Sequence, residues 1–300
     1  MRILVNDGMS DTGIQKLIDA GFEVITKNIP PQELPAKIGE FDALVVRSAT
    51  KVRQGVIDGG IPRLKAVVRG GVGIDNIDHE YAESKGVKVM NTPAASSPSV
   101  AELALAHMFA LSRFIVPANI TMRQGEWNKK QYKGTELAGK TLGVLGIGRI
   151  GHALAEKALG LGMKVIAFDP YIKSVEINVK LTSKETVLKE ADYISLHMPA
   201  QKDKAVLGSA EFAQMKAGVY IINCARSGVI DETALLEALD SGQVAGAGID
   251  VFVGEPSPDK RLTSHQQVSV TPHIGASTVE AQDRIGLEVA DKLIGFFRDN

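Results

Sequence analysis

Three hundred residues carrying a formal net charge of −1 and a 44% hydrophobic fraction can bury two sizeable cores, and they lack the basic surplus of a general nucleic-acid binder. One cysteine, Cys224, excludes an intrachain disulfide framework and fits a reducing cytoplasm. The N-terminus enters a strand pattern at once and no charge-free apolar run reaches the roughly 18 residues of a membrane span, so neither export nor insertion is expected.

Short β-rich runs alternate with helical patterns from the start. Arg2 to Asn6, Glu23 to Thr26, Ala43 to Val46, Ala66 to Val68 and Lys88 to Met90 read as strands of a first parallel βαβ unit. Two of its strand exits are polar or glycine-rich. Arg47 and Ser48 suit an anionic substrate tail, and the backbone amides of Gly71, Val72 and Gly73 suit a carboxylate, with ordinary loop roles as the alternative. Ser99 to Arg123 then reads as one long apolar helix, preceded by the cap-like Ser96-Ser97-Pro98-Ser99 and bridging to a second unit. Leu142 to Leu145, Lys164 to Phe168, Tyr193 to Leu196, Tyr220 to Asn223, Ala245 to Ile249 and Val268 to Val270 supply the strands of that unit. Ser277 to Arg298 closes the chain as a helix.

The first of these later strands runs into Gly146-Ile147-Gly148-Arg149-Ile150-Gly151, a GxGxxG turn in which the backbone can approach a pyrophosphate at a helix N-terminus. Arg149 is placed to approach that pyrophosphate or solvent. The following strand ends in Asp169, where a carboxylate can accept from both ribose hydroxyls and would repel a 2′-phosphate. The expected cofactor is therefore NAD.

Two of the six histidines follow apolar strands, where parallel α/β proteins place their ligands. His273, in Thr271-Pro272-His273-Ile274-Gly275, has the context of an acid–base group, and His197 lines or supports the cofactor site. His107, inside the apolar helix, reads as a packed imidazole; His79, His152 and His265 carry no chemical signal. Arg226, after Asn223-Cys224-Ala225, offers a guanidinium to a carboxylate at another strand exit. Asp250 and Glu255 are the acids that could orient His273, and either could be a solvated loop residue. Cys224 reads as a small buried residue, and no spacing suggests a metal site.

With these residues in view, the chain resembles the D-isomer-specific 2-hydroxyacid dehydrogenase family, most closely its short D-3-phosphoglycerate dehydrogenases. The resemblance rests on Val72-Gly73-Ile74-Asp75-Asn76-Ile77-Asp78, the Gly146 to Gly151 turn, Asn223-Cys224-Ala225-Arg226, Asp250-Val251-Phe252 with Glu255-Pro256, and Thr271-Pro272-His273-Ile274-Gly275. It implies an α/β fold of two Rossmann-like domains with parallel sheets and an inter-domain cleft: a substrate domain of residues 1–97 plus 280–300 and a dinucleotide-binding domain of residues 98–279. It implies Arg226, Glu255 and His273 as the catalytic set, and Gly146, Gly148, Arg149, Ile150, Asp169, His197, Cys224, Ala225, Asp250, His273 and Gly275 around NAD. Arg47, Ser48, Gly71, Val72, Gly73, Asn76, Lys129 and Arg226 would face the substrate. The expected activity is interconversion of 3-phospho-D-glycerate and 3-phosphooxypyruvate in a cytoplasmic homodimer, without nucleic-acid or membrane partners. A glyoxylate or hydroxypyruvate reductase is the alternative, and a non-catalytic NAD(H)-sensing protein is the alternative of another class. Two positions depart from the family pattern: Ser227 separates Arg226 from Gly228, and Lys129 stands where related phosphoglycerate enzymes often carry arginine. The chain also ends after its closing helix, without the serine-sensing domain of longer relatives, so serine feedback is not expected.

Overall fold

A computed structural model describes residues 1–201 and 204–299. They divide into two compact units, Met1–Ser97 with the segment from Ala276 onward, and Pro98–Gly275. Each is a parallel sheet flanked by helices, the tandem Rossmann-like α/β arrangement.

The first unit holds β1 (Arg2–Val5), β2 (Glu23–Ile25), β3 (Ala43–Val46), β4 (Ala66–Arg69) and β5 (Lys88–Asn91), in spatial order β2-β1-β3-β4-β5. All pairings are parallel. The central strands are continuous aliphatic runs because helices cover both faces: Ala43, Leu44, Val45 and Val46 are all buried. The closing helix Val279–Asp299 packs its Ile285, Val289, Ala290 and Leu293 against the same core as Ile3, Val5, Val45 and Val68. It crosses the helix Asp11–Asp19 glycine to glycine; a Cβ on Gly13 would lie 2.6 Å from the Gly286 carbonyl carbon, so only glycine permits this approach.

The second unit holds β6 (Thr141–Leu145), β7 (Lys164–Phe168), β8 (Lys180–Leu181), β9 (Tyr193–Leu196), β10 (Val219–Asn223), β11 (Val244–Ile249) and β12 (Val268–Val270). Their order is β12-β11-β10-β9-β6-β7-β8, again all parallel. The order reverses between β6 and β9, so the loops leaving these strands diverge and open a crevice at their C-terminal ends.

The single helix expected over residues 99–123 is two helices, Ser97–Ser112 and Ile115–Arg123, bent by 63°. Pro117 has no N–H to donate to the Arg113 carbonyl, so the helix must restart just before it. Phe114 turns the corner at φ 54°, and the Ser112 carbonyl accepts instead from the Thr135 amide at 3.0 Å. The two-residue edge strand β8 had no counterpart in the sequence reading. No single helix among the described residues is long and apolar enough to cross a membrane.

Candidate active site and dinucleotide site

The glycine turn leaves β6 at the reversal point of the larger sheet. Gly146 has φ 95°, and a Cβ there would stand 2.6 Å from the His197 carbonyl oxygen leaving β9. Gly148 is the N-cap of the helix Arg149–Gly160, and a Cβ on it would meet open space. Gly151 packs against the Gly146 carbonyl and Val144. These glycines serve a tight turn, an exposed helix N-terminus and close helix–strand packing, which is the cradle a pyrophosphate requires. Arg149 is exposed at the first helical position and Ile150 is half-buried behind it.

Asp169 follows β7 and is already engaged with the loop. Its Oδ2 accepts from the Ile147 amide at 3.0 Å, and its Oδ1 accepts from Tyr171 and Ile172 at 2.9 and 3.1 Å. Its position therefore fixes the middle of the glycine turn as well as presenting negative charge. His197 accepts or donates through Nε2 to the buried Ser195 hydroxyl at 2.8 Å, while its Nδ1 is buried without a hydrogen-bond partner. Burial pushes this imidazole down to about 4, so the ring is neutral at ordinary pH. An orphaned ring nitrogen beside the glycine turn is a polar contact held ready for a bound group. The turn, Asp169 and His197 together fit a dinucleotide.

On the other half of the sheet, Asn223 at the end of β10 shapes the next loop. Its Oδ1 accepts from Ala225 N at 3.1 Å and its Nδ2 donates to the Arg226 carbonyl at 3.0 Å. Arg226 is half-buried, and its Nη1 donates to the Ala225 carbonyl at 2.7 Å. Cys224 and Ala225 are buried; burial and the Asp250 charge push the Cys224 thiol well up, so it is not a nucleophile.

His273 follows β12 and carries φ 55°, a left-handed conformation costing about 1–3 kcal/mol outside glycine. Its Nδ1 lies 2.8 Å from Glu255 Oε2, and Glu255 Oε1 accepts from the Phe252 amide at 2.8 Å. Glu255 is thus fixed at both oxygens. The sequence left Asp250 and Glu255 as alternative partners of the histidine; the structure gives that contact to Glu255. Asp250, only 1% exposed, instead holds the turn on which His273 sits. Its Oδ1 accepts from the Thr271 hydroxyl at 2.6 Å and the Ile274 amide at 2.8 Å, and its Oδ2 from the Gly275 amide at 2.9 Å. The closeness of Asp250 to position 275 leaves 3.1 Å for a Cβ, so Gly275 is there for space.

The substrate-side candidates of the first unit surround another strand exit. Asp7 Oδ2 accepts from the Arg47 and Thr50 amides at 2.7 and 2.9 Å, and its Oδ1 from the Thr50 hydroxyl. Asn76 donates to the Arg47 and Thr50 carbonyls, both at 2.7 Å. Both Asn76 donors are spent on the turn that carries Arg47 and Ser48. Burial lowers the Arg47 guanidinium from its usual range while the Asp7 charge opposes the shift. Arg47 lines a cavity of about 690 Å³ with Met9, Ser10, Asp11, Thr278 and Asp283. Ser48 is exposed, and Gly71, Val72 and Gly73 form the bend after β4, where the Gly71 and Val72 carbonyls accept from Thr92 N and Asn91 Nδ2. Lys129 lies on an exposed turn after the helix Ile115–Arg123. Asp7 and Thr50 went unrecognised in the sequence, and Thr271 was read only as part of the motif around His273; all three stand at strand exits.

The pattern of the D-isomer-specific 2-hydroxyacid dehydrogenase NAD-binding domain matches residues 105–275. A hydroxypyruvate reductase of Thermotoga maritima is 46% identical over 97% of both chains. A D-3-phosphoglycerate dehydrogenase of Bacillus subtilis is 45% identical over 98% of this chain, which spans 57% of that relative's length. The crystal structure of a Thermus thermophilus protein superimposes with a TM-score of 0.91 at 31% identity, covering 100% of this chain and 98% of the other. These similarities run through the glycine turn, the Arg226 loop and the His273 turn together: the chain belongs to the D-isomer-specific 2-hydroxyacid dehydrogenase family and is an NAD(P)-dependent oxidoreductase of it.

Proposed function

We propose that this protein reduces a short, unphosphorylated 2-oxoacid such as hydroxypyruvate or glyoxylate to the D-2-hydroxyacid with NADH, and runs the reverse oxidation with NAD. The observation that carries the chemistry is the His273–Glu255 contact of 2.8 Å on a turn held in a costly backbone conformation. Bound NADH supplies the hydride for C2. His273, protonated and paired with Glu255, delivers a proton through Nε2 to the carbonyl oxygen; in oxidation the neutral ring removes it. Glu255 engages Nδ1 and thereby keeps Nε2 for the transfer. Arg226 holds the substrate carboxylate by its planar fork. Asp169 favours NAD over NADP, because a 2′-phosphate would meet its charge.

The charge around the Arg47 cavity supports the unphosphorylated substrates. Asp11 and Asp283 share its lining with a single guanidinium, so a phosphate dianion there meets more negative than positive charge. Hydroxypyruvate reductase is also the name of the relative matched over 97% of both chains. A second reading, 3-phospho-D-glycerate oxidation in serine biosynthesis with Arg47, Ser48 and Lys129 receiving the phosphate, is favoured by the 45% identity to the Bacillus subtilis enzyme. Specificity constants for hydroxypyruvate, glyoxylate and 3-phosphooxypyruvate separate the two. An advantage for the unphosphorylated acids supports the first reading, a clear advantage for 3-phosphooxypyruvate replaces it with the second, and no turnover on any of them sinks both.

We also infer a cytoplasmic homodimer. Phe109, Ile115, Val116, Ile120 and Met122 leave an exposed apolar face on the two bent helices, which a second copy would cover, and the lone buried cysteine suits a reducing compartment.

A further inference from the structure

His107 sits in the interior of the helix Ser97–Ser112, is 2% exposed, and takes no part in the chemistry above. Its two ring nitrogens each have a partner on the last strand segment. Nδ1 lies 2.9 Å from the Ser269 hydroxyl on β12, and Nε2 lies 3.1 Å from the Thr271 hydroxyl just beyond it.

The direction of every bond in this chain follows from chemistry. Asp250 Oδ1 can only accept, so the Thr271 proton points to it at 2.6 Å. Thr271 Oγ1 then has only lone pairs to offer, so His107 Nε2 must carry a hydrogen. Burial holds His107 below the ordinary imidazole range, although the Asp250 charge acts the other way, so the ring is neutral and Nδ1 accepts from Ser269. The result is a one-way relay: Ser269 hydroxyl to His107, His107 to Thr271, Thr271 to Asp250, and Asp250 receiving the Ile274 and Gly275 amides that follow His273 in the turn. Bonds aligned in this way polarise one another in a dry interior. Gly248 on β11 makes room for it, since a Cβ there would stand 2.8 Å from His107 Cγ.

We propose that His107 is a positioning residue: through Thr271 and Asp250 it fixes the turn that presents His273, and so sets the rate of proton transfer without touching substrate or cofactor. This rests on the functional reading given above for His273. A residue on a sequence-distant helix thereby adds a second hydrogen bond to the Thr271 hydroxyl that Asp250 already engages, and so braces the turn from the helix side.

The test compares His107→Leu, which fills the space without hydrogen bonds, with His107→Gln, whose amide can donate to Thr271 and accept from Ser269. In His107→Leu we expect kcat with hydroxypyruvate and NADH to fall about tenfold while both KM values change less than about twofold. Amide exchange at Ile274 and Gly275 should accelerate by about tenfold in the same variant, with exchange in β6 and β7 unchanged. His107→Gln should return both readouts to near the wild-type values. Thr271→Val should lower kcat as well, and adding His107→Leu to it should cost nothing further, because both break one relay. Unchanged exchange and kcat in His107→Leu overturns the proposal, as does equal impairment in the Leu and Gln variants. A wild type inactive on every 2-oxoacid removes the functional reading alone, because the exchange measurement still decides whether His107 anchors the turn.

Discussion

The Arg47 turn of the first unit and the His273 turn of the second are built on the same device. In each, a carboxylate at a strand exit accepts two backbone amides and one threonine hydroxyl, Asp7 from Arg47, Thr50 and the Thr50 side chain, and Asp250 from Ile274, Gly275 and the Thr271 side chain. In each, a side-chain N–H donates to that threonine: Asn6 Nδ2 to Thr50 at 2.9 Å, and His107 to Thr271 at 3.1 Å. The difference lies in depth and reach. Asn6 and Asp7 are neighbours at the end of one strand, and Asp7 keeps contact with solvent, whereas Asp250 is buried and its threonine is supported from a distant helix. Water can therefore replace a lost partner around Asp7 more readily than around the buried Asp250 carboxylate. In the proposed mechanism the turn on Asp250 carries the residue that transfers a proton, and the turn on Asp7 carries a cation that attracts the substrate.

The sharpest way to break the comparison is at the side chains the two turns present. His273→Asn should lower kcat about 10²- to 10⁴-fold while NADH binding persists, whereas Arg47→Ala should act mainly on substrate KM. Steady-state kinetics with titrated NADH binding check both, and near-normal turnover in folded His273→Asn would remove it from the mechanism.

The carboxylates themselves come next. Asp250→Ala removes the buried acceptor of two amides and a hydroxyl and should cost about 3 kcal/mol of stability, against about 1 kcal/mol for Asp7→Ala, where solvent reaches the carboxylate. Chemical denaturation of the two variants measures the gap, and equal losses would contradict the difference in depth.

How much of this was legible beforehand follows from sequence distance. The glycine turn, Asp169, Arg226 and His273 could be picked out because each stands directly after an apolar strand, a local pattern. Strands β1, β3, β6, β7 and β9 were readable for the same reason, while β8, with two residues, is too short for any periodicity. The bend at Phe114 left a trace in Pro117 that the apolar run masked. The anchors Thr50 and His107 were not legible, because their partners lie 43 and 164 residues away in sequence and only the folded sheet makes them neighbours.

A smaller effect concerns the dinucleotide side, where His197 is held neutral by burial at about 4 against 6.5 for a free imidazole. As pH falls through 6.5 the unfolded chain takes up this proton and the native state does not, so stability is fully present above that point and is lost progressively down to about 4. The loss is at most about 3 kcal/mol. Thermal melts across this window should show a shallower decline in His197→Asn, and an unchanged slope would mean that His197 is not the group concerned.

The smallest predicted change is in cofactor choice. Asp169→Ala should raise the ratio of NADPH to NADH specificity constants about tenfold, the worth of one repulsive charge near a 2′-phosphate, with some loss for both cofactors as Ile147 loses its acceptor. A ratio that does not move would separate Asp169 from cofactor recognition and leave it a loop anchor alone.

The central claim, direct hydride transfer to C2 with a proton from the His273 turn, is tested most directly by isotope. NADH deuterated at the transferring C4 position is incubated with hydroxypyruvate and the protein, and the glycerate formed is examined by NMR and resolved by enantiomer. The account predicts D-glycerate carrying one deuterium at C2; L-glycerate, deuterium lost to water, or no glycerate from a folded, NADH-binding sample would contradict it.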